Sequence, residues 1–419
     1  MEQLIQALST VFMLIITVCF SYQAVYVLIG LVKKPKKFKA TQKHKFAVVI
    51  SARNESAVIG NLIASIQSQT YASELVDTIV VADNCTDDTA KIAREAGAIV
   101  YERFNRQRVG KGYALEYLFH RVEEDYGIEA YDGYFIIDAD NILEEDYIEE
   151  MNNVFDNGYR VVTSYRNSKN FGANWISFGY AIWFLREAKF LNNVRMMLGT
   201  SCAVSGTGFL VSSEIIKKNS GWKHFLLTED IEFSVDNMIH GEKIGYAGDA
   251  IFYDEQPETF SASWHQRMRW SRGFYQVFFK YGHRLAARLV KKRDFSCYDM
   301  LITLVPGIGL TIITSILGVL SLYFGMFHLK AAIIVCIKSI FEYLVSSYMT
   351  LFALGAVTVL TEHRRIHCKA WKVIAYLFTF PIFMFTYIPI SVVAMFHTPE
   401  WKPIIHSVAI TRKEIHESN

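Results

Sequence analysis

The chain lacks several features that would assign it quickly. Its six cysteines, Cys19, Cys85, Cys202, Cys297, Cys336 and Cys368, include no C-x-x-C pair. Neither a zinc signature nor a disulfide framework is visible. Three of the six lie within or beside apolar runs, which fits a polar part kept in a reducing cytosol. The formal net charge is only +2, which argues against a general nucleic-acid binder. The N-terminus carries Glu2 in place of a basic opening, and no small-residue cleavage site follows. It does not read as a cleaved secretory signal.

Apolar sequence is plentiful. Hydrophobic residues make up 52% of 419, enough for one large domain plus a membrane part. The excess collects at 10–32 and at about 299–397. Residues 10–32 are read as a transmembrane helix whose basic end, Lys33, Lys34, Lys36, Lys37 and Lys39, faces the cytoplasm. Further spans are predicted over 299–326, 331–360 and 373–397. Arg284, Arg288, Lys291, Lys292 and Arg293 precede the first of these, and Arg364, Arg365, Lys369 and Lys372 separate the last two.

The chain divides on this reading into an N-terminal transmembrane helix (1–35), a cytosolic domain (44–260) and interfacial amphipathic helices (261–295). C-terminal transmembrane helices (296–397) and a tail (398–419) complete it. A single crossing by 373–397 puts the tail outside. Pro381 and Pro389 could instead break that run into a re-entrant or interfacial piece and return the tail to the cytosol, which is the reading adopted. Lys338 and Glu342, at i,i+4 spacing inside a span, face either a polar path or each other's charge between helices.

Residues 44–260 alternate strand and helix patterns. Strands are predicted at 46–51 (FAVVIS), 78–82 (TIVVA), 98–101, 133–137 (GYFII) and 160–164 (RVVTS), and helices at 56–69, 87–96, 111–124 and from 144. This order implies a mostly parallel, doubly wound α/β sheet, with ligands at the carboxyl ends of its strands. Segments 173–195 and 262–281 mix aromatic and basic residues. They read as helices at a membrane surface or packed on the spans, or as ordinary amphipathic core helices.

Carboxylates follow the strand ends. Asp138 and Asp140 stand one residue apart after GYFII; on extended backbone they would share a side and need a cation such as Mg²⁺ or Mn²⁺ with diphosphate oxygens. Asp230 opens a predicted helix with Thr228 as candidate N-cap, and suits a general base. Gln266 and Trp270 share a helix face. Arg269 could hold a diphosphate, and Trp270 could offer a flat face to a sugar ring. Singly, each is also explained by a turn, a cap or an interfacial helix.

Together the ordered set Asp83, Asp138-Ala139-Asp140, Thr228-Glu229-Asp230 and Gln266-Arg267-Met268-Arg269-Trp270 resembles the family-2 inverting glycosyltransferases of GT-A fold. Among these it resembles the membrane-embedded processive cellulose, mixed-linkage glucan, curdlan, chitin, poly-N-acetylglucosamine and hyaluronan synthases. The resemblance implies a Rossmann-like GT-A domain inserted between transmembrane helices. It further implies a multi-pass plasma-membrane hexosyltransferase that polymerises a β-linked polysaccharide from a UDP-sugar, with UDP-glucose the first choice and UDP-N-acetylglucosamine next.

By the same resemblance, Glu55 and Asp83 bind uridine, Lys111 approaches the nucleotide diphosphate, and Asp138 supports the nucleotide and the metal. Asp140 and Asp138 hold the metal, Asp230 is the base and Arg269 holds the diphosphate. Gln266, Trp270, Ser205, Gly206 and Thr207 line the acceptor site, and Trp401 belongs to a gating segment. The implied partners are the UDP-sugar, a growing glycan, the lipid membrane and either a second copy or an accessory export subunit. Two other readings remain open: single transfer to a lipid acceptor, and a ligand-sensing transporter without turnover.

Overall fold

The computed structural model describes residues 2–305, 329–397, 399, 406 and 408–417. The chain opens with helix α1 (Glu2–Val32), then β1 (Phe46–Ala52), α2 (Ile59–Gln67), β2 (Val76–Asp83), α3 (Thr89–Glu95), β3 (Ile99–Arg103), α4 (Lys111–Asp125) and β4 (Gly133–Asp138). Next come β5 (Ile142–Leu143), α5 (Tyr147–Phe155), β6 (Val161–Ser168), α6 (Trp175–Arg186), α7 (Asn193–Leu198), β7 (Phe209–Ser212), α8 (Ser213–Lys218), α9 (Glu229–His240) and β8 (Ile244–Asp254). The remainder is helical: α10 (Phe260–Lys292), α11 (Phe295–Leu304), α12 (Leu329–Glu362), α13 (Ala370–Phe385), α14 (Tyr387–Phe396) and α15 (Arg412–Glu417).

The strands form one sheet in the order β3-β2-β1-β4-β7-β6-β8-β5. β1 lies between β2 and β4, and its Phe46, Val48, Val49 and Ile50 are wholly buried. A strand covered on both faces needs such a continuous apolar run. The first four strands are parallel, as expected. The sheet then departs from the predicted winding. β7 enters antiparallel between β4 and β6, and β5 pairs antiparallel with β8. These strands were not foreseen: β5 and β7 have only two and four residues, too short for a periodic signal. Parallel register sets Ser51 opposite Asp138 and Ala52 opposite Ala82, so the carboxyl ends of β1, β2 and β4 open on one place.

The aromatic segments resolve as helices packed on other helices. Gly179 of α6 lies so close to Phe383 of α13 that an added Cβ would come within 2.4 Å of its ring. α10 is one 33-residue helix, not several. It is bound to the C-terminal helices by Arg267, which donates to the Phe383 carbonyl (3.1 Å) and Thr386 Oγ1 (2.7 Å), and by Tyr275, which donates to the Ser391 carbonyl (2.9 Å). Arg272 donates to the last carbonyls of α14, at Ala394 and Met395.

The predicted span 373–397 is broken at Thr386, between Pro381 and Pro389. Pro389 cannot donate to the carbonyl four residues back. Both flanks of the broken helix meet the same α/β domain. At its start Lys372 donates to the Gly172 carbonyl (2.8 Å), and Arg365 to that of Gly248 (3.1 Å). Beyond its end His406 meets Glu55, Val408 N donates to Glu255 (3.0 Å), and Ile415 is buried beside Ile142 and Tyr253. Both ends of the broken helix thus meet the same α/β domain.

Two helical stretches, Leu344–Arg365 and Ala370–Phe396, are long and apolar enough to span a bilayer by length and composition, and Thr17–Val32 and Phe295–Leu304 are shorter apolar ones. Of the predicted span 299–326, residues 306–326 lie outside the described residues. Its start is α11, whose Asp299 is buried in a paired contact with Arg195 (2.7 and 2.8 Å). Tyr22 and Tyr26 of α1 donate to the same carboxylate (3.0 and 3.1 Å). Trp401 and the side chain of Lys338 also lie outside the described residues, and Glu342 is exposed.

Candidate active site

The carboxyl ends of β1, β2 and β4 each deliver polar side chains. Asn54 and Asn84 follow β1 and β2 with left-handed backbone (φ 58° and 54°), a conformation asparagine tolerates. Each turns its loop sharply and locks it. Asn54 Oδ1 accepts from Thr86 N, and Asn84 Oδ1 from Asn105 N, both at 2.8 Å.

Asp138 ends β4, but Asp140 sits in the tight turn that follows, closed by Asn141 N donating to the Asp138 carbonyl (3.1 Å). The extended-backbone expectation therefore fails for this pair: Asp140 stands in a turn, not on the strand. Asp138 accepts from Lys111 Nζ (2.5 Å). Asp140 is 5% exposed and accepts from Glu255 N (3.0 Å) and Asn141 Nδ2 (3.3 Å). Burial acts to raise its carboxyl, but His406, Lys169, the Glu255 amide and Arg166 outweigh this and hold it below the usual carboxylate range.

The loop Ser205-Gly206-Thr207 faces this pair. Thr207 Oγ1 accepts from Asp138 N (2.8 Å) and donates to Asn141 Oδ1 (2.7 Å). Gly206 N donates to Asp230 Oδ2 (2.6 Å), and its carbonyl accepts from Lys111 Nζ (2.8 Å). One peptide segment thus connects Asp138, Lys111 and Asp230. Thr228 holds the N-cap position of α9 without the expected side-chain cap bond. Its side chain is pressed against Gly273 of α10 instead, where an added Cβ would come within 2.5 Å.

Burial pushes the Asp230 carboxyl upward, against the Ile231 amide, Lys111 and the Gly206 amide. Burial and the Asp230 charge push Glu229 up as well, and Lys111 and Arg269 oppose this. Lys111 stays cationic: its burial is outweighed by Asp138, Glu229 and Asp230.

Gln266, Arg269 and Trp270 lie half-buried on α10. Trp270 stands edge-on to Tyr180 (5.7 Å between ring centres) and Phe184 (6.3 Å). Asp83 is buried and engaged by Arg103 (2.5 Å), and Asn84 Nδ2 donates to it (3.0 Å). Glu55 is engaged by His406 Nδ1, 3.0 Å from both carboxylate oxygens. His406 is pushed up to about 10, burial being overcome by Asp140, Glu55 and Glu255.

The structure adds residues that the sequence reading did not select: Arg103, Arg166, Lys169, Asp254 and His406. Arg166 pairs with Asp254 through Nε (2.7 Å) and donates to the Ser205 carbonyl (3.1 Å). It lies two residues beyond the predicted end of β6, and Asp254 closes the unforeseen β8. A polar residue at the true end of each strand was the available signal.

Asp138 and Asp140 fit a hard divalent cation, being oxygen donors already steered by neighbouring groups. Among the described residues no group of three or more His, Cys, Asp or Glu is arranged to hold a metal. A cation here would take its other ligands from diphosphate and water, as Mg²⁺ commonly does.

The profile of glycosyltransferase-like family 2 matches residues 44–273, more than half of the chain. A probable glycosyltransferase of Bacillus subtilis, YdaM, is 27% identical over 61% of this chain and 60% of its own length. A β-monoglucosyldiacylglycerol synthase of Synechocystis is 24% identical over 62% of this chain and 54% of its own. A poly-β-1,6-N-acetyl-D-glucosamine synthase of Staphylococcus epidermidis is 22% identical over 58% and 57%. The chain thus spans between half and two thirds of the length of these relatives. In three dimensions it is similar to a mannosyltransferase of Pyrobaculum calidifontis, solved with GDP-Man and Mn²⁺ (TM-score 0.57, 14% identity, 84% of this chain and 97% of that one). That likeness shows the GT-A, Rossmann-like fold. On the family match, the chain belongs to glycosyltransferase-like family 2.

Proposed function

We propose that the protein is a metal-dependent, inverting hexosyltransferase that moves a sugar from a UDP-sugar onto the end of a β-linked glycan at a membrane. The observation that carries this is Gly206, whose amide holds Asp230 while its carbonyl holds the Lys111 that neutralises Asp138. A base and a diphosphate-binding cation thus stand on two sides of one peptide segment.

In the reaction, an acceptor hydroxyl oxygen bonds to the anomeric carbon as the bond from that carbon to the UDP oxygen breaks. The hydroxyl proton passes to the Asp230 carboxylate. Lys111 and Arg269 offset the negative charge that develops on UDP. Asp138 and Asp140 would hold Mg²⁺ or Mn²⁺, which when bound adds a further positive charge at the diphosphate. Glu55 and Asp83 take the nucleoside side, and Trp270 the acceptor side. UDP-glucose is the first-choice donor, with a β-glucan as product.

Attachment to the membrane is assigned to α1 and to the apolar C-terminal helices, where Phe341, Met349, Leu360, Trp371 and Ile374 are exposed. Export of the glycan by this chain is the extension of that reading.

The test is to incubate membranes containing the protein with each labelled UDP-sugar, with Mn²⁺ or with EDTA, and to digest the product with linkage-specific glycanases. The expected result is metal-dependent UDP release and a glycanase-sensitive product. UDP release from no common UDP-sugar rules the proposal out. A chloroform-soluble glycolipid as sole product replaces the glycan acceptor with a lipid one.

A further inference from the structure

Asp140 is supported by a part of the chain far from it in sequence. The turn that carries it runs straight into β5, a strand of two residues that pairs with β8 at the edge of the sheet. So short an edge strand holds little by itself. In this pair Ile142 stands opposite Tyr253. Asp140 lies two residues before Ile142, and Glu255 two residues after Tyr253. The two are joined there, because Glu255 N donates to the Asp140 carboxylate (3.0 Å).

Residues 408–417 cover this pair of strands. Ile415 of α15 is wholly buried against Ile142 and Tyr253, which are themselves buried. Polar contacts rim the apolar one. His416 Nε2 lies 2.9 Å from Glu144 Oε1, to which Tyr253 Oη also donates (2.6 Å), and Arg412 pairs with Glu145. The same contacts therefore fix both strand exits from which Asp140 and Glu255 project.

Val408 uses both of its backbone groups here. Its N–H donates to Glu255 Oε2 (3.0 Å), and its carbonyl accepts from Lys169 Nζ (3.1 Å). Lys169 and Glu255 face each other at 3.9 Å, with side chains only 1% and 10% exposed. The Val408 peptide thus bridges a buried ion pair. Glu255 is caught at both ends, its carboxylate by Val408 and its amide by Asp140. Groups that orient a metal ligand from outside the coordination sphere tune affinity strongly.

We propose that residues 408–417 are a built-in part of the cation site, in which Val408 and Ile415 are positioning residues that hold Asp140 through Glu255 and β5. This rests on the reading above, in which Asp140 serves a divalent cation at the UDP diphosphate. It adds to that reading a distant segment on which the cation site depends. Val408 and Ile415 act through Asp140, and no step of the transfer changes.

The experiment uses the full chain in detergent with UDP. Free Mn²⁺ is read by its EPR signal, against a protein-free blank of Mn²⁺ and UDP. Ile415→Ala should weaken Mn²⁺ binding about tenfold, and Ile415→Val, which refills most of the space, should recover most of the loss. Val408→Pro removes the amide donor to Glu255 and should weaken Mn²⁺ binding as well. UDP affinity in EDTA should not change. The decisive comparison is in the Asp140→Asn background, where Ile415→Ala should cost no further Mn²⁺ affinity, because both changes act on one ligand. An additive loss overturns the proposal, and so does wild-type Mn²⁺ affinity in both single variants. A fall of UDP affinity in EDTA as large as the fall for Mn²⁺ would mark a merely structural role and overturn it too. If Ile415→Ala does not fold, Val408→Pro decides by the same comparisons. Failure of the glycosyl-transfer reading is distinguishable: it shows in the wild type as no UDP release from any UDP-sugar, with the Mn²⁺ comparisons intact.

Discussion

The Gly206 amide donates to Asp230 Oδ2 at 2.6 Å, and this bond fixes which way the carboxylate faces. The Ile231 amide acts on the same carboxylate. Because burial raises the Asp230 carboxyl, its ionised form, the one that acts as base, is lost at a higher pH than for a free aspartate. The acid limb of kcat/KM should therefore lie above the ordinary value of about 3.9. Lys111 favours the ionised form, so Lys111→Met should move the limb further up in pH. Rate profiles from pH 4 to 9 check both; an unmoved limb in the variant removes Lys111 from the account.

Thr228 and Gly273 make a second close contact, one that sets the distance of α10 from α9. Gly273→Ala places a methyl group where Thr228 stands, so the helix carrying Arg269 and Trp270 must shift. Transfer should fall about tenfold or more, with little change in nucleotide affinity. Adding Thr228→Ala should restore part of the loss. Full activity in the single variant would show that this spacing is not critical.

Asp140 should govern the metal requirement. Asp140→Asn keeps the size of the side chain and removes the charge, so half-maximal activity should need about tenfold more Mn²⁺ or higher, a difference of about 1.4 kcal/mol. Titration of Mn²⁺ against UDP release measures it. An unchanged midpoint would move the cation site elsewhere.

Arg195 and Asp299 bind α1, α7 and α11 together away from the chemistry. Arg195→Met leaves a buried aspartate whose remaining donors are two tyrosines, and should cost about 3–5 kcal/mol of stability. Thermal unfolding in detergent checks this, and a Tm within a degree or two of wild type would contradict it.

The central parallel strands were legible because each is a run of Val and Ile long enough to show its pattern, as in 46–51. β7 and β5 were not, since so few residues carry no period and their place depends on pairing across the sheet. Asp138 and Asp230 could be selected from sequence because one ends a strand and the other opens a helix, whereas Lys111 came only with the family resemblance. Their bridge could not, because it is the backbone of Gly206 and has no side-chain signature. His406 was missed for a different reason: it sits in a short tail and gains its meaning only from what folds against it.

The most direct measurement is single-turnover transfer of labelled hexose from its UDP donor by wild type and by Asp230→Asn, with UDP affinity measured on the same samples. The account predicts unchanged UDP binding and a loss of transfer of about 10²–10⁴-fold, the range of a general base. Transfer within a few-fold of wild type by Asp230→Asn would contradict it.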